Sequence, residues 1–378
     1  VEASIADVAR LSGVSVATVS RALRGLPNVS PATRERVVAA AEELHYHPDP
    51  NAARLAGQRT TTIGLVMPVL GSWYHAQLFA GVEGAAAAAD MEVLPLVLAG
   101  RDRLEQFVQK LPFRKRVDGL VVADVPLADD ELDRVLSAGV PVVIGGIPDS
   151  RTTSLHPDER DASREAVQHL VDLGHTRIGI IGGLEDDPFG FPSPHARVQG
   201  ARDATEAAGL ELPDERILPG NFGFAGGAEA MERLLAADEP PTAVFALSDE
   251  MAVGAIHTAR HAGLDVPGDL SVVGFDDHDV ARFVDLTTVR QDVMGIGERL
   301  AELLLERIAD PDAPLRHETV HTELVVRGTT ARPGVRTTST CPTQTDPTQT
   351  DPTRSAPVRT AGTSTTTAVT GPPVADHA

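Results

Sequence analysis

The chain has a single cysteine, Cys341, in 378 residues. A disulfide framework and a cysteine metal cluster are excluded, as expected of a cytoplasmic protein. Aromatic side chains are scarce: ten Phe, two Tyr and one Trp. Any that gather in loops are therefore informative. Lysine is confined to Lys110 and Lys115, and arginine supplies the other basic residues, a matter of coding bias more than of function. No apolar run reaches the ~18 residues that suggest a membrane span, so no membrane partner is expected. The opening VEASIADVAR is amphipathic and charged, unlike a secretory signal.

Positive charge is also lacking, since the net charge is −21. That argues against a general nucleic-acid coat. Residues 1–60 nevertheless hold seven Arg against six acids, so the remainder carries −22. Affinity for DNA would have to be local and geometric, carried by a small module while the bulk repels the polyanion.

Three regions separate along the chain. Residues 1–48 read as short helices. From about 63 to 330, apolar runs alternate with amphipathic helices. Residues 333–378 form a Thr/Pro tail with the near-repeat PTQTDPTQTDPT, expected to be disordered because it has almost nothing to bury. In the middle region, IGLVMP (63–68), EVLPLVL (92–98), DGLVVAD (118–124), VPVVIG (140–145), RIGIIGG (177–183), TAVFALS (242–248) and LSVVGFD (270–276) read as strands, most of them continuous apolar runs of the kind covered on both faces. Helical stretches at 76–90, 160–173, 197–209, 224–237 and 249–263 lie between them. This alternation predicts two doubly wound parallel-sheet subdomains with a cleft between, ligands binding at the carboxyl ends of strands. The loops at 69–75, 146–158, 184–197, 248–251 and 275–283 are then the useful ones.

SIADVARLSGVSVATVSRALRG (4–25) reads as helix, tight turn, helix. Ile5, Val8 and Ala9 make one apolar face, Gly13 permits the turn, and Val14, Val19 and Leu23 make the second. Ser15 is placed to cap the second helix. Val16 and Ala17 stand at its exposed start, with Arg21 one turn on. Small apolar side chains can meet a thymine methyl, and an Arg can reach guanine or phosphate. A third helix from Ser30-Pro31 to Leu44 supplies Val37, Ala41 and Leu44 to the same small core.

DVARLSGVSVATVSRALRG, VSPATRERVVAAAEELHYHP, NAARLAG and IGLVMP together resemble the lactose-repressor (LacI/GalR) family of bacterial transcription factors. The resemblance continues through LVDLGHTRIGIIGG, TAVFALSDEMAVGAI, DLSVVGFDD, LTTVRQD and TELVVRG, and covers about residues 4–330. It implies a helix-turn-helix DNA-binding domain (1–48), a hinge helix (49–60) and a periplasmic-binding-protein-like effector domain (61–332). Within the last, an N-subdomain takes about 61–160 and 291–320, and a C-subdomain about 161–290 and 321–330. It also implies a homodimer on near-palindromic double-stranded operator DNA. The tail has no leucine heptad, so no tetramerising helix is expected.

By the same resemblance, Val16, Ala17 and Arg21 fall on base-reading positions, and Ser15, Thr18, Ser20 and Asn28 on phosphate contacts. Arg24 stands where Asn commonly precedes the Gly. Ala52 and Leu55 lie in the hinge helix, whose one and a half turns are too short to hold alone. Leu55 is expected to wedge into the minor groove. In the effector cleft the resemblance places Arg197, Asp249, Asp276 and Gln291, with Trp73, Tyr74 and Phe222 as flanking aromatics. Ser248 stands where Asn is common. Asp158 matches the acid that opens the crossover helix, and Glu159 replaces the usual Asn. Ring faces with Arg and Asp suit a sugar, whose C–H face stacks while its hydroxyls are tied down. They also suit a nucleoside, so a purine-type co-repressor is the alternative effector.

No nucleophile–base pair and no metal-ligand cluster is evident, so neither catalysis nor a cofactor is expected. His45 and His47 flank Tyr46 without further ligands; His169 and His175 read as structural residues at helix ends. The expected function is a ligand-responsive repressor released from its operator by a small molecule. A solute receptor of the same α/β fold would lack the helix-turn-helix.

Overall fold

The computed structural model describes residues 3–23, 25, 27–46, 60–187 and 189–334. The expectations for Arg24, for the hinge residues Ala52 and Leu55, and for the tail from 335 onward fall outside these residues.

The first helices begin and end where their capping chemistry dictates. α1 (Ile5–Ser12) opens on a capping box, the Ser4 backbone N–H donating to Asp7 Oδ2 at 2.9 Å. It closes on Gly13 at φ 69°, the left-handed region that favours glycine. α2 (Val16–Leu23) starts with Ser15 accepting from the Thr18 N–H at 3.2 Å, and α3 (Pro31–Glu43) with Ser30 accepting from the Thr33 N–H. Val8, Ala9, Val19, Val37 and Ala41 form the core of this unit as expected. Ala22 and Ala40 join them, while Ile5, Val14, Leu23 and Leu44 pack at its edge.

The next segments build two six-stranded sheets. The first contains β1 (Thr62–Met67), β2 (Glu92–Val97), β3 (Gly119–Ala123), β4 (Val142–Gly145), β5 (Thr153–Pro157) and β11 (His317–Val320), ordered β11-β5-β4-β3-β1-β2 and parallel throughout. The second contains β6 (Ile178–Ile181), β7 (Ile217–Leu218), β8 (Ala243–Ala246), β9 (Ser271–Asp276), β10 (Thr287–Arg290) and β12 (Glu323–Val325), ordered β12-β10-β9-β8-β6-β7. Among the described residues, only its β10–β12 pair is antiparallel. Both orders reverse direction next to the first strand laid down, between β1 and β3 and between β6 and β8. Doubly wound sheets bind ligands in the crevice at that point.

Helices cover both faces, so the central strands β1, β3, β4, β6, β8 and β9 are fully buried and read as continuous apolar runs. α4 (Trp73–Ala88) and α11 (Val293–Ala309) pack in backbone contact: a Cβ on Gly81 would meet the Met294 carbonyl oxygen, and one on Gly297 that of Leu78. α7 (Glu159–Asp172) and α8 (Pro192–Ala207) flank the second sheet, as do α9 (Phe224–Leu235) and α10 (Asp249–His261).

Two expected boundaries move. α4 begins at Trp73, not 76, because Ser72 caps it by accepting from the His75 N–H at 3.3 Å. α8 begins at Pro192, not 197, since proline is suited to the first helical turn. Trp73, Tyr74 and Arg197 are therefore held on helices, not on loops. Among the described residues, no helix is long and apolar enough to cross a membrane.

Candidate functional site

Side chains at the carboxyl ends of strands from both sheets meet in one cluster. Tyr74 and His75 follow β1, Asp124 follows β3, Glu159 follows β5, Arg197 follows β6, Asp276 ends β9 and Gln291 follows β10. Arg197 lies at its centre and is 6% exposed. It donates from Nη2 to Glu159 Oε1 at 2.8 Å and from Nη1 to the Leu247 carbonyl at 2.5 Å, and its guanidinium carbon sits 3.7 Å from the Phe275 ring centroid. Gln291 donates from Nε2 to Asp276 Oδ1 at 2.6 Å. His75 Nε2 stands 3.6 Å from Asp124 Oδ2, with its Nδ1 2.8 Å from the Ser72 hydroxyl.

The cluster is incompletely satisfied. His75 Nε2, Asp124 Oδ2, Glu159 Oε2, Arg197 Nε and Gln291 Oε1 are buried and have no hydrogen-bond partner. An orphaned buried polar atom costs about 1–3 kcal/mol, so a folded protein rarely gathers five at one place. A polar ligand would satisfy them.

Charge is under strain at the same place. Burial, reinforced by the charge of Glu159, pushes the Asp124 carboxyl up to about 7. Asp276 is also pushed up to about 7, by burial above all, although Arg197 and the Gln291 hydrogen bond pull the other way. Burial drives His75 down to about 4, so its ring is neutral at pH 7. The Tyr74 hydroxyl is raised by burial and by the charges of Asp124, Glu159 and Asp276. Burial opposes the charge on Arg197, but Glu159 and Asp276 more than offset it. The backbone of Asp276 is itself strained at φ 111°, a conformation that costs a side-chain-bearing residue about 1–3 kcal/mol. Its neighbour Asp277 is held by Arg290 and Arg327 at 2.7 and 2.5 Å.

Asp276 therefore carries a signed expectation. Its folded pKa lies above the unfolded value, so the native protein binds the extra proton between about pH 4 and 7 and loses that stabilisation as pH rises. Asp276→Asn should raise the melting temperature relative to the wild type more at pH 8 than at pH 5, measured by calorimetry without ligand. A pH-independent difference would mean that its charge is no liability.

The other expected effector residues divide. Trp73 stands at the rim, its Nε1 donating to Asp279 Oδ2 at 3.3 Å and its ring 4.5 Å from that of His278, so it bridges the two subdomains. Asp158 does not reach Arg197: it is exposed and caps α7 by accepting from the Asp161 N–H. Glu159, one residue further on, makes the pair instead. Ser248 caps α10, and Asp249 is the first residue of that helix. Fully buried, Asp249 accepts from the His278 N–H at 2.7 Å and from Thr288 Oγ1 at 2.5 Å, bracing the β9–β10 end. Phe222 packs against the core of the second subdomain. Sequence reasoning missed His75, Asp124, Glu159 and Phe275. Asp124 was legible, since it closes the strand run DGLVVAD at the carboxyl end where ligands bind.

In the N-terminal unit, Val19 and Ala22 fix the inner side of α2. Its outer side shows Ser15, Val16, Ala17 and Arg21, with Val16 45% exposed. Thr18 and Ser20 are half-buried, and Asn28 is exposed at φ 72° in the left-handed region. A valine and an alanine at the open tip of a helix, with an arginine one turn on, form a surface that can enter the major groove.

Known proteins share both units. Residues 4–49 match the bacterial regulatory proteins of the lacI family, and residues 167–330 match a periplasmic binding protein-like domain. Catabolite control protein A of Priestia megaterium is 36% identical over 309 residues, which cover 80% of this chain and 91% of that protein. A solved structure described as a transcriptional regulator CelR–cellobiose complex is 32% identical, with a TM-score of 0.64, covering 86% of this chain and 99% of that one. The lac repressor dimer bound to operator and the anti-inducer ONPF is 29% identical, with a TM-score of 0.78, covering 88% of this chain and 100% of that one. The family is made up of transcriptional regulators, not enzymes. This chain belongs to the lactose-repressor family and is a DNA-binding transcriptional regulator.

Proposed function

We propose that the protein is a cytoplasmic, homodimeric repressor that leaves a near-palindromic operator when a sugar enters the cleft. The observation that carries this reading is the set of five buried polar atoms without partners, drawn from both subdomains. A sugar offers several hydroxyls, each both donor and acceptor, on a small frame with an apolar face for Tyr74 or Trp73. The cellobiose bound by a relative supports the class of ligand.

The residues proposed to touch ligand are Tyr74, His75, Asp124, Glu159, Arg197, Asp276 and Gln291, with Trp73 at the rim. Those proposed to touch DNA are Ser15, Val16, Ala17, Thr18, Ser20, Arg21 and Asn28. Since cleft residues come from both sheets, ligand changes how the subdomains close. It moves the operator equilibrium only by its differential affinity for the two states.

The test is operator binding by gel shift on the protein's own promoter region, repeated with a panel of sugars and nucleosides, with melting temperature measured in parallel. A sugar that raises the melting temperature and releases the DNA supports induction. A purine nucleoside that parts the Trp73–His278 stack and tightens the shift would replace it with co-repression. No sequence-specific shift under any condition would overturn the repressor.

A further inference from the structure

We propose that the natural effector carries a protonated amine among its hydroxyls, as an amino sugar does. This rests on the sugar reading above and narrows its chemistry.

The lining is short of positive charge. Fully ionised, Asp124, Glu159 and Asp276 outnumber Arg197, the one guanidinium described among them, by two charges, and burial, which raises Asp124 and Asp276 to about 7, leaves protons covering part of that excess at neutral pH until a cation replaces them. His75 and Gln291 do not offset it. Arg197 is also committed, with one nitrogen on Glu159, another on the Leu247 carbonyl and its carbon over Phe275, which leaves only Nε unpaired. A ligand carboxylate or phosphate would have to displace Glu159 and then face two further acids.

The orphaned atoms have the same bias. Gln291 Oε1 can only accept, as do Asp124 Oδ2 and Glu159 Oε2 when ionised, whereas Arg197 Nε can only donate. His75 Nε2 takes either role. Gln291 is 3% exposed and bonded to Asp276, so its free oxygen belongs to the built interior of the site. A ligand must therefore bring more donors than acceptors. Neutral hydroxyls can fill each position but bring no charge to offset the ionised carboxylates. One ammonium brings three N–H donors and a positive charge, and bonds between ions are about twice as strong as neutral ones. Asp124 belongs to the first sheet and Asp276 to the second, and both fields reach the Tyr74 hydroxyl. The charge of Glu159 raises both carboxyls, and a cation beside the three offsets that repulsion.

The single Trp73, set on His278 at the rim, gives an optical reporter. Its fluorescence in the full-length protein is followed while glucose, galactose, mannose and cellobiose are titrated. Each is matched to its amino, N-acetylamino and uronate counterparts, and putrescine serves as an amine without hydroxyls. The expected result is an amino form that binds about tenfold or more tighter than its neutral parent and its N-acetyl form, with no response to uronates. Asp124→Asn and, separately, Asp276→Asn should shrink that ratio toward one. A neutral or N-acetyl sugar that binds as well as its amino form overturns the amine and leaves the sugar effector standing. A uronate that binds overturns it in the same way. Putrescine binding as tightly as the amino sugar would remove the hydroxyls from the proposal. Silence across the whole panel overturns the amine and the sugar together.

Discussion

Arg197→Ala should yield a protein that holds its operator and no longer answers its effector. Arg197 has three neighbours in the cluster: Glu159 at 2.8 Å, the Leu247 carbonyl at 2.5 Å and the Phe275 ring at 3.7 Å. Its Nε is the only orphaned atom there that is solely a donor. Truncating one partner of a buried, hydrogen-bonded charge pair costs about 2–5 kcal/mol, so effector affinity should fall about 30-fold or more. Stability should fall as well, because Glu159 is left buried and unpaired. The two losses separate in the double variant Arg197→Ala, Glu159→Gln, which removes the stranded charge. Its melting temperature should recover part of the deficit while effector binding stays lost. Calorimetry and the Trp73 titration measure the two effects independently. Retained effector affinity in Arg197→Ala would remove this residue from the site.

The sequence reading found the sheets more easily than the site, for a physical reason. A strand buried on both faces must be apolar along its length, so IGLVMP and TAVFALS announce themselves and appear as β1 and β8. β5, reading TSLHP, is buried too, but its Ser154 and His156 broke the apolar run and hid it. Which acid faces the cleft depends on where a helix starts. Asp158 and Glu159 are adjacent and chemically alike. Once Asp158 turns its carboxylate onto the Asp161 N–H as a cap, only Glu159 is left to meet Arg197. Ser248 and Asp249 repeat the pattern, the first capping and the second bracing Thr288. A shift of one residue in the cap exchanges their roles, and no local pattern records it. The exposure of Val16 and Ala17 was legible, because Val14, Val19 and Leu23 already supply the inner face of that segment.

That tip supports a second large effect: Ala17→Glu should abolish specific operator binding in a protein that is otherwise intact. Ala17 is exposed in the first turn of α2, between Val16 and the turn that carries Arg21. Among the described residues it is exposed, and the inner side of α2 is made by Val19 and Ala22, so a longer side chain at 17 does not enter the core. A glutamate near a helix N-terminus is favoured by the macrodipole, so the melting temperature should hold or rise slightly. On DNA the same carboxylate meets phosphates and acceptor-rich base edges, and its i,i+4 pairing with Arg21 would draw that guanidinium away from them. Like charges brought together in an interface cost several kcal/mol, and each 1.4 kcal/mol is tenfold, so affinity should drop about 100-fold or more. Fluorescence anisotropy on labelled operator would show the loss, and the Trp73 titration would show the effector response unchanged. Ala17→Ser adds a small neutral hydroxyl at the same place and should keep most of the affinity, which assigns the glutamate's effect to its charge and size. Wild-type operator affinity in Ala17→Glu would mean that α2 does not enter the groove tip first, and Arg21 would then lose its assigned reach to the bases.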